Sequence, residues 1–158
     1  MCKKSKSLIF SLIVILAFNF CGICSLAAET EVTQLECQVY EKEYIDNSLA
    51  RATTFIDTSI GISYSSSGMF ITIDTIMNKT ASVVGVKDIQ VQIQNGDDWV
   101  TVATSTGGEL TNTGSCCVEL NYTGAIVGQT YRVTCIHYAN VDGYRELYHE
   151  TAGVKCEY

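Results

Sequence analysis

Cys135, His137 and His149 are the residues of this chain whose types and spacing best suit chemistry. They flank Val141-Asp142-Gly143, which reads as a three-residue hairpin loop with Gly143 in the left-handed conformation. In that register Asn140 faces Tyr144, His137 faces Leu147 and Cys135 faces His149. Two imidazoles and a thiolate on one face are a ligand set for a zinc-like ion, or a Cys/His nucleophile and base. A two-residue Asp142-Gly143 turn would shift the register by one and split the histidines between faces. The longer loop is preferred, because it turns Glu146, Tyr148 and Glu150 to water. The structural reading of the trio weighs more than the chemical one. Tyr131 and Val133 point into the same face, where a hydrogen-bonded core histidine is the commoner outcome, and no third orienting group or oxyanion donor accompanies the pair.

Other constellations carry less. Asp97-Asp98 lies in a turn, and Glu41 and Glu43 in a polar lead-in, so neither pair is set across a cleft for acid/base work. No G-x-S-x-G, phosphate-cradling glycine loop, HExxH or EF-hand spacing occurs. Asn78-Lys79-Thr80 and Asn121-Tyr122-Thr123 match the glycosylation sequon, which means nothing if the source is bacterial. Tyr138, Tyr144, Tyr148 and Tyr158 gather in the last hairpin and tail. On the preferred register Tyr138 and Tyr148 face outward, where they could stack on a sugar or anchor a protein partner, or simply shield the sheet.

The elements that position these residues are strands. From Ile56 onward apolar and polar residues alternate, rich in β-branched and aromatic types and broken at Ser, Gly and Asn clusters. Strands are predicted at 59–64, 69–77, 86–94, 99–104, 116–122, 130–140 and 144–156. Asn78-Lys79-Thr80 is predicted as a break, Asn95-Gly96-Asp97-Asp98 as a hairpin turn and 106–115 as a polar loop. About seven short strands without a helix predict an all-β fold, an antiparallel two-sheet sandwich over 56–158. Residues 28–55 are acidic and poor in core formers; they read as a flexible linker, with an edge strand at Val32–Tyr40 as the alternative.

Residues 1–27 read as a secretory signal: Lys3, Lys4 and Lys6, an apolar run from Leu8 to Ile23, then Ser25-Leu26-Ala27 for cleavage after Ala27, or alternatively Ala28. An uncleaved anchor is the other reading, since about 20 residues just span a bilayer. Cys21 and Cys24 fit a lipid anchor poorly, and their CxxC spacing inside a signal implies neither a redox nor a zinc site. Removing the signal takes three basic residues and no acidic ones, which leaves seven basic against seventeen acidic, a net −10. That charge argues against nucleic acid and anionic lipid as partners. Cys37, Cys116, Cys117, Cys135 and Cys156 remain, an odd number in an export setting that permits disulfides. Cys37–Cys156 and Cys135 with Cys116 or Cys117 are the pairings expected.

Gly128-Gln129-Thr130-Tyr131-Arg132-Val133-Thr134-Cys135 resembles the corner entering strand F of fibronectin type III and immunoglobulin-like domains. The resemblance implies that Tyr131 packs inward with its hydroxyl tied to the preceding loop; the proline usual in that corner is missing. Tyr44 to Tyr158 also resembles small secreted proteins of Gram-positive gut bacteria, grouped as an uncharacterised family of unknown function. The shared features are a signal, a linker, Ile-x-Ile strands, a Trp hairpin, Tyr131-Arg132-Val133 with His137, and Thr151-Ala152-Gly153-Val154. That likeness implies architecture and no activity. The sequence therefore predicts an extracellular, non-enzymatic domain without a cofactor that recognises a protein or glycan. A structural or adhesive envelope element, and a metal- or thiol-dependent site at Cys135, His137 and His149, are the alternatives.

Overall fold

The computed structural model describes residues 31–42 and 55–157, all within one compact unit, Glu31–Tyr158. The expected signal at 1–27, Glu43, the remainder of the lead-in to 54 and Tyr158 lie outside the described residues. The described elements are strands β1 (Thr33–Gln34), β2 (Cys37–Tyr40), β3 (Phe55–Ser65), β4 (Gly68–Asn95), β5 (Asp98–Tyr122), β6 (Thr130–Asn140), β7 (Tyr144–Glu150) and β8 (Val154–Lys155). The all-β class is as predicted. The alternation that predicted the strands also sets the core: Met69, Ile71 and Ile73 are buried while Phe70 is exposed, and Ile89 and Val91 are buried while Gln94 reaches solvent.

The strands form one mixed eight-stranded sheet in the order β1-β5-β4-β6-β7, with β2 also on β5, β3 on β4 and β8 on β6. Every pairing is antiparallel except that of β1 with β5. The sequence predicted seven shorter strands in two antiparallel sheets; here the strands run into one hydrogen-bonded sheet. Residues 106–115, read as a loop, lie within β5 and pair with β4. Asn78-Lys79-Thr80 lies within β4, but at the predicted break the β4–β5 register shifts, between Ile76 and Ala81. Lys79, Thr80, Thr111 and Asn112 are exposed, whereas Ala81 and Thr113, partners across the ladder, are buried.

The two long strands change partners along their length. The first part of β4 pairs with β3 and with the last part of β5, from Met69↔Tyr122 to Ile76↔Ser115. A register shift between Ile76 and Ala81 follows, after which β4 pairs with the first part of β5 and with β6. Both parts feed a single hydrophobic cluster that includes Met69, Ile73, Val84, Val91, Val118, Tyr131 and Val133. The Asn95-Gly96-Asp97-Asp98 turn closes β4 onto β5 as predicted, with Asn95 opposite Asp98.

The lead-in corrects the linker reading over its described part. β2 pairs with β5 from Cys37↔Leu120 to Tyr40↔Cys117, and Leu35 reaches the core. The edge-strand alternative is what residues 33–40 adopt. The Tyr131 corner is placed as the resemblance implied: the ring is buried against Tyr122, and Ile126 N–H donates to the Tyr131 hydroxyl at 2.9 Å.

The expected disulfides are corrected too. Cys37, Cys116, Cys117, Cys135 and Cys156 are all free thiols. Cys116 and Cys117 are neighbours in β5, so they point to opposite faces and only Cys116 enters the core cluster. Cys37 donates its thiol to the Gly107 carbonyl at 3.2 Å, and Cys135 lies against His137 rather than another sulfur.

Candidate functional site

The β6–β7 hairpin takes the register predicted from its three-residue loop: Asn140 faces Tyr144, His137 faces Leu147 and Cys135 faces His149. Gly143 supplies the positive φ, at 121°. Cys135, His137 and His149 are accordingly brought together. His137 Nε2 lies 3.2 Å from His149 Nδ1 and 3.6 Å from Cys135 Sγ, while its Nδ1 lies 2.7 Å from Thr75 Oγ1 on β4. His137 is fully buried and His149 half-buried.

The contacts are those of a hydrogen-bonded core. Burial, with a smaller contribution from His149, pushes the His137 pKa down to about 4, so the ring is neutral at ordinary pH. Burial pushes the Cys135 thiol up to about 12, the reverse of what a nucleophile needs. Both nitrogens of His137 are already engaged within the protein. Among the described residues no group of three or more His, Cys, Asp or Glu side chains is placed to hold a metal ion.

The two outward tyrosines separate. Tyr138, expected at the surface, is buried: it lies over Gly85, donates to Glu109 Oε2 at 2.6 Å, and its ring sits 6.0 Å from that of Tyr144. The reason is the missing side chain opposite. A Cβ on Gly85 would come within 2.7 Å of the Tyr138 hydroxyl oxygen, so the glycine makes the bed the ring occupies. Tyr148 does face outward and remains 59% exposed, enough ring to receive a ligand.

Tyr148 borders a cleft of about 480 Å³ on the outer sheet face. Its floor includes Ile89 and Ile136, and its walls bring Gln34, Asp88, Gln90, Thr104, Thr106 and Thr134 together from β1, β4, β5 and β6. Asp88 stands at an irregularity: the β4–β6 register shifts between Lys87 and Gln90, and Asp88 has φ 52°. Bulges of this kind re-aim a side chain out of the regular pleat. Opposite the neighbouring Lys87, Gly107 has φ 76°, and a Cβ there would sit 2.0 Å from the Val86 carbonyl oxygen. Sequence reasoning missed the cleft because its residues come from five separate segments. The one local signal was Lys87-Asp88, two charges in succession inside an otherwise alternating strand.

A second hollow, about 600 Å³, follows the lead-in past Leu35, Phe70 and Glu119. Its walls rest partly on β1 and β2, strands of two and four residues, and are correspondingly less braced. A polar cluster also escaped the sequence. Asp74 Oδ2 accepts from Lys42 at 2.6 Å and lies 3.5 Å from Ser59, Tyr40 donates to Glu119, and Cys117 is buried beside them. Asp74 Oδ1 is buried without a hydrogen-bond partner among the described residues. Burial raises the Cys117 thiol to about 11, so this cluster too lacks a nucleophile. Among the described carboxylates, Asp97 and Asp98 are exposed in their turn, and Glu41 accepts from Thr113.

No protein family, curated protein or solved structure matches the chain.

Proposed function

We propose that the chain is an exported, non-enzymatic recognition domain that binds an extracellular glycan in the cleft beside Tyr148. The single observation carrying this reading is the cleft itself. Its volume is in the range of small-ligand sites, its floor is apolar, and its rim converges amide, hydroxyl and carboxylate groups beside one exposed aromatic ring. A pyranose has the matching chemistry: a flat apolar C–H face for the ring and hydroxyls for Gln34, Gln90 and Thr134. Gln90, Thr104 and Thr134 stand on the long strands β4, β5 and β6, which fixes them before a ligand arrives.

The fold reading that accompanies it is a fibronectin type III/immunoglobulin-like sandwich, in which the two parts of the bent β4–β5 ribbon act as facing layers. The Thr75–His137 hydrogen bond, which ties the first part of β4 to β6, the shared core and the Tyr131 corner support it. Export rests on the charge and apolar pattern of residues 1–27. The raised pKa values of Cys116, Cys117 and Cys135 favour binding over thiol chemistry.

A glycan array probed with the purified protein tests the reading. Binding lost on Tyr148→Ala and retained on Tyr138→Phe is the expected result, because Tyr138 is packed beneath the surface. Binding that survives Tyr148→Ala would place the ligand elsewhere.

A further inference from the structure

The charges around the cleft are unevenly disposed. Of the described residues lining it, Asp88 is the one with a formal charge at neutral pH. The nearest cations are committed to other partners. Lys87 is bonded to Glu146 and lies over the Tyr138 ring, 5.7 Å from its centroid. Arg132 donates to Gln92 at 2.7 Å, approaches Glu150 at 3.4 Å and stacks on Trp99. Glu150 also accepts from the Tyr148 hydroxyl at 3.0 Å, so the tyrosine end of the cleft presents no spare positive charge.

The backbone at Asp88 adds a second, independent observation. An aspartate at φ 52° occupies a conformation uncommon outside glycine, and such outliers gather where a side chain is held for a purpose. Here Asp88 lies within the irregular stretch between Lys87 and Gln90 and lines the cleft.

We infer that the cleft selects an amine-bearing saccharide, one whose hexosamine ammonium sits on the Asp88 carboxylate, over N-acetylated and uronic relatives. This rests on the reading of the cleft as a glycan site. An ammonium gains a charge-assisted hydrogen bond there, which its N-acetylated counterpart cannot make. A uronate meets a like charge with no cation to offset it. Because Asp88 is exposed, the selection is screened by salt, and a preference of about tenfold at low ionic strength is the expected size.

Calorimetric titration of the purified protein with three oligomers tests this: glucosamine, N-acetylglucosamine and galacturonic acid chains of equal length, in low-salt buffer just below neutral pH. The expected result is about tenfold tighter binding of the glucosamine oligomer, a preference erased by Asp88→Asn, with Tyr148→Ala weakening both unacidic oligomers. Asparagine tolerates the left-handed backbone, so this variant keeps the bulge. Equal or tighter binding of the N-acetylated or uronic oligomer overturns the selection and leaves the glycan site standing. A glucosamine preference that persists in Asp88→Asn also overturns it, since the attraction is then the whole acidic surface. Failure of all three oligomers to bind overturns the glycan reading itself.

Discussion

His137 Nε2 stands 3.2 Å from His149 Nδ1, and this contact joins β7 to the core. His149 is the one half-buried residue of β7; the other six are exposed. Besides its backbone ladder with β6 and the exposed contacts of Glu146, Glu150 and Tyr144, the strand is held by this imidazole pair. His137 in turn is bonded to Thr75 in the first part of β4, so protonating His137 disturbs the contacts it makes with both β4 and β7.

That arrangement predicts acid sensitivity. The folded state holds His137 near pKa 4, below the ordinary value of 6.5, because burial and His149 both penalise the imidazolium. The unfolded chain then binds more protons, and stability falls as pH drops from about 6.5 towards 4. The loss over that window is on the order of 3 kcal/mol. Urea midpoints at several pH values measure it, and His137→Asn should flatten the dependence. An unchanged slope in that variant would assign the acid sensitivity to other groups.

Tyr131→Phe tests the corner. The substitution keeps the buried ring against Tyr122 and removes only the oxygen that accepts the Ile126 N–H. A loss of about 1 kcal/mol in unfolding free energy is expected, with the denaturant slope unchanged. Wild-type stability in this variant would mean that water replaces the hydroxyl.

These two sites show how far the chain could be read before folding. Period-two alternation located the strands and the hairpin register, because one face of each strand must be buried and a one-residue slip inverts it. The Cys135–His149 juxtaposition followed from that register alone. Three kinds of feature did not follow. Residues 106–115 read as a polar loop by composition, but a strand with one solvated face accepts polar residues. The linker reading of residues 33–40 failed because edge pairing is backbone bonding, to which acidic side chains on the open face are no obstacle. The burial of Tyr138 depends on Gly85 across the β4–β6 ladder, a partnership that neither segment reveals alone.

Gly85→Ala checks that partnership. The new Cβ would stand 2.6 Å from the Gly108 carbonyl oxygen and 2.7 Å from the Tyr138 hydroxyl oxygen. The tyrosine can swing away, but the backbone oxygen cannot without distorting the β4–β5 ladder. Destabilisation of about 1–3 kcal/mol is expected. Combining it with Tyr138→Ala should recover only part of that loss in thermal melts. Full recovery would show that the ring, and not the strand, sets the limit.

The thiols give the last prediction. Among the described cysteines, Cys116, Cys117, Cys135 and Cys156 are buried and Cys37 is partly accessible. Burial raises the Cys116 and Cys135 pKa values to about 12, which leaves almost no thiolate at neutral pH. Reaction of native protein with an alkylating reagent, followed by peptide mass analysis, should label Cys37 first and the other four only on unfolding. The comparison matters most at Cys135. Its sulfur sits behind the His137–His149 contact, on the core side of β6, so it can meet reagent only if β7 lifts away. Labelling of Cys135 should therefore accelerate as pH falls through the His137 window, once corrected for the thiolate fraction at each pH. Acceleration confined to Cys135 would identify a local opening of β7. Equal acceleration at Cys116, which lies in the core on β5, would mean global unfolding. A pH-independent Cys135 would refute the coupling of the imidazole pair to β7.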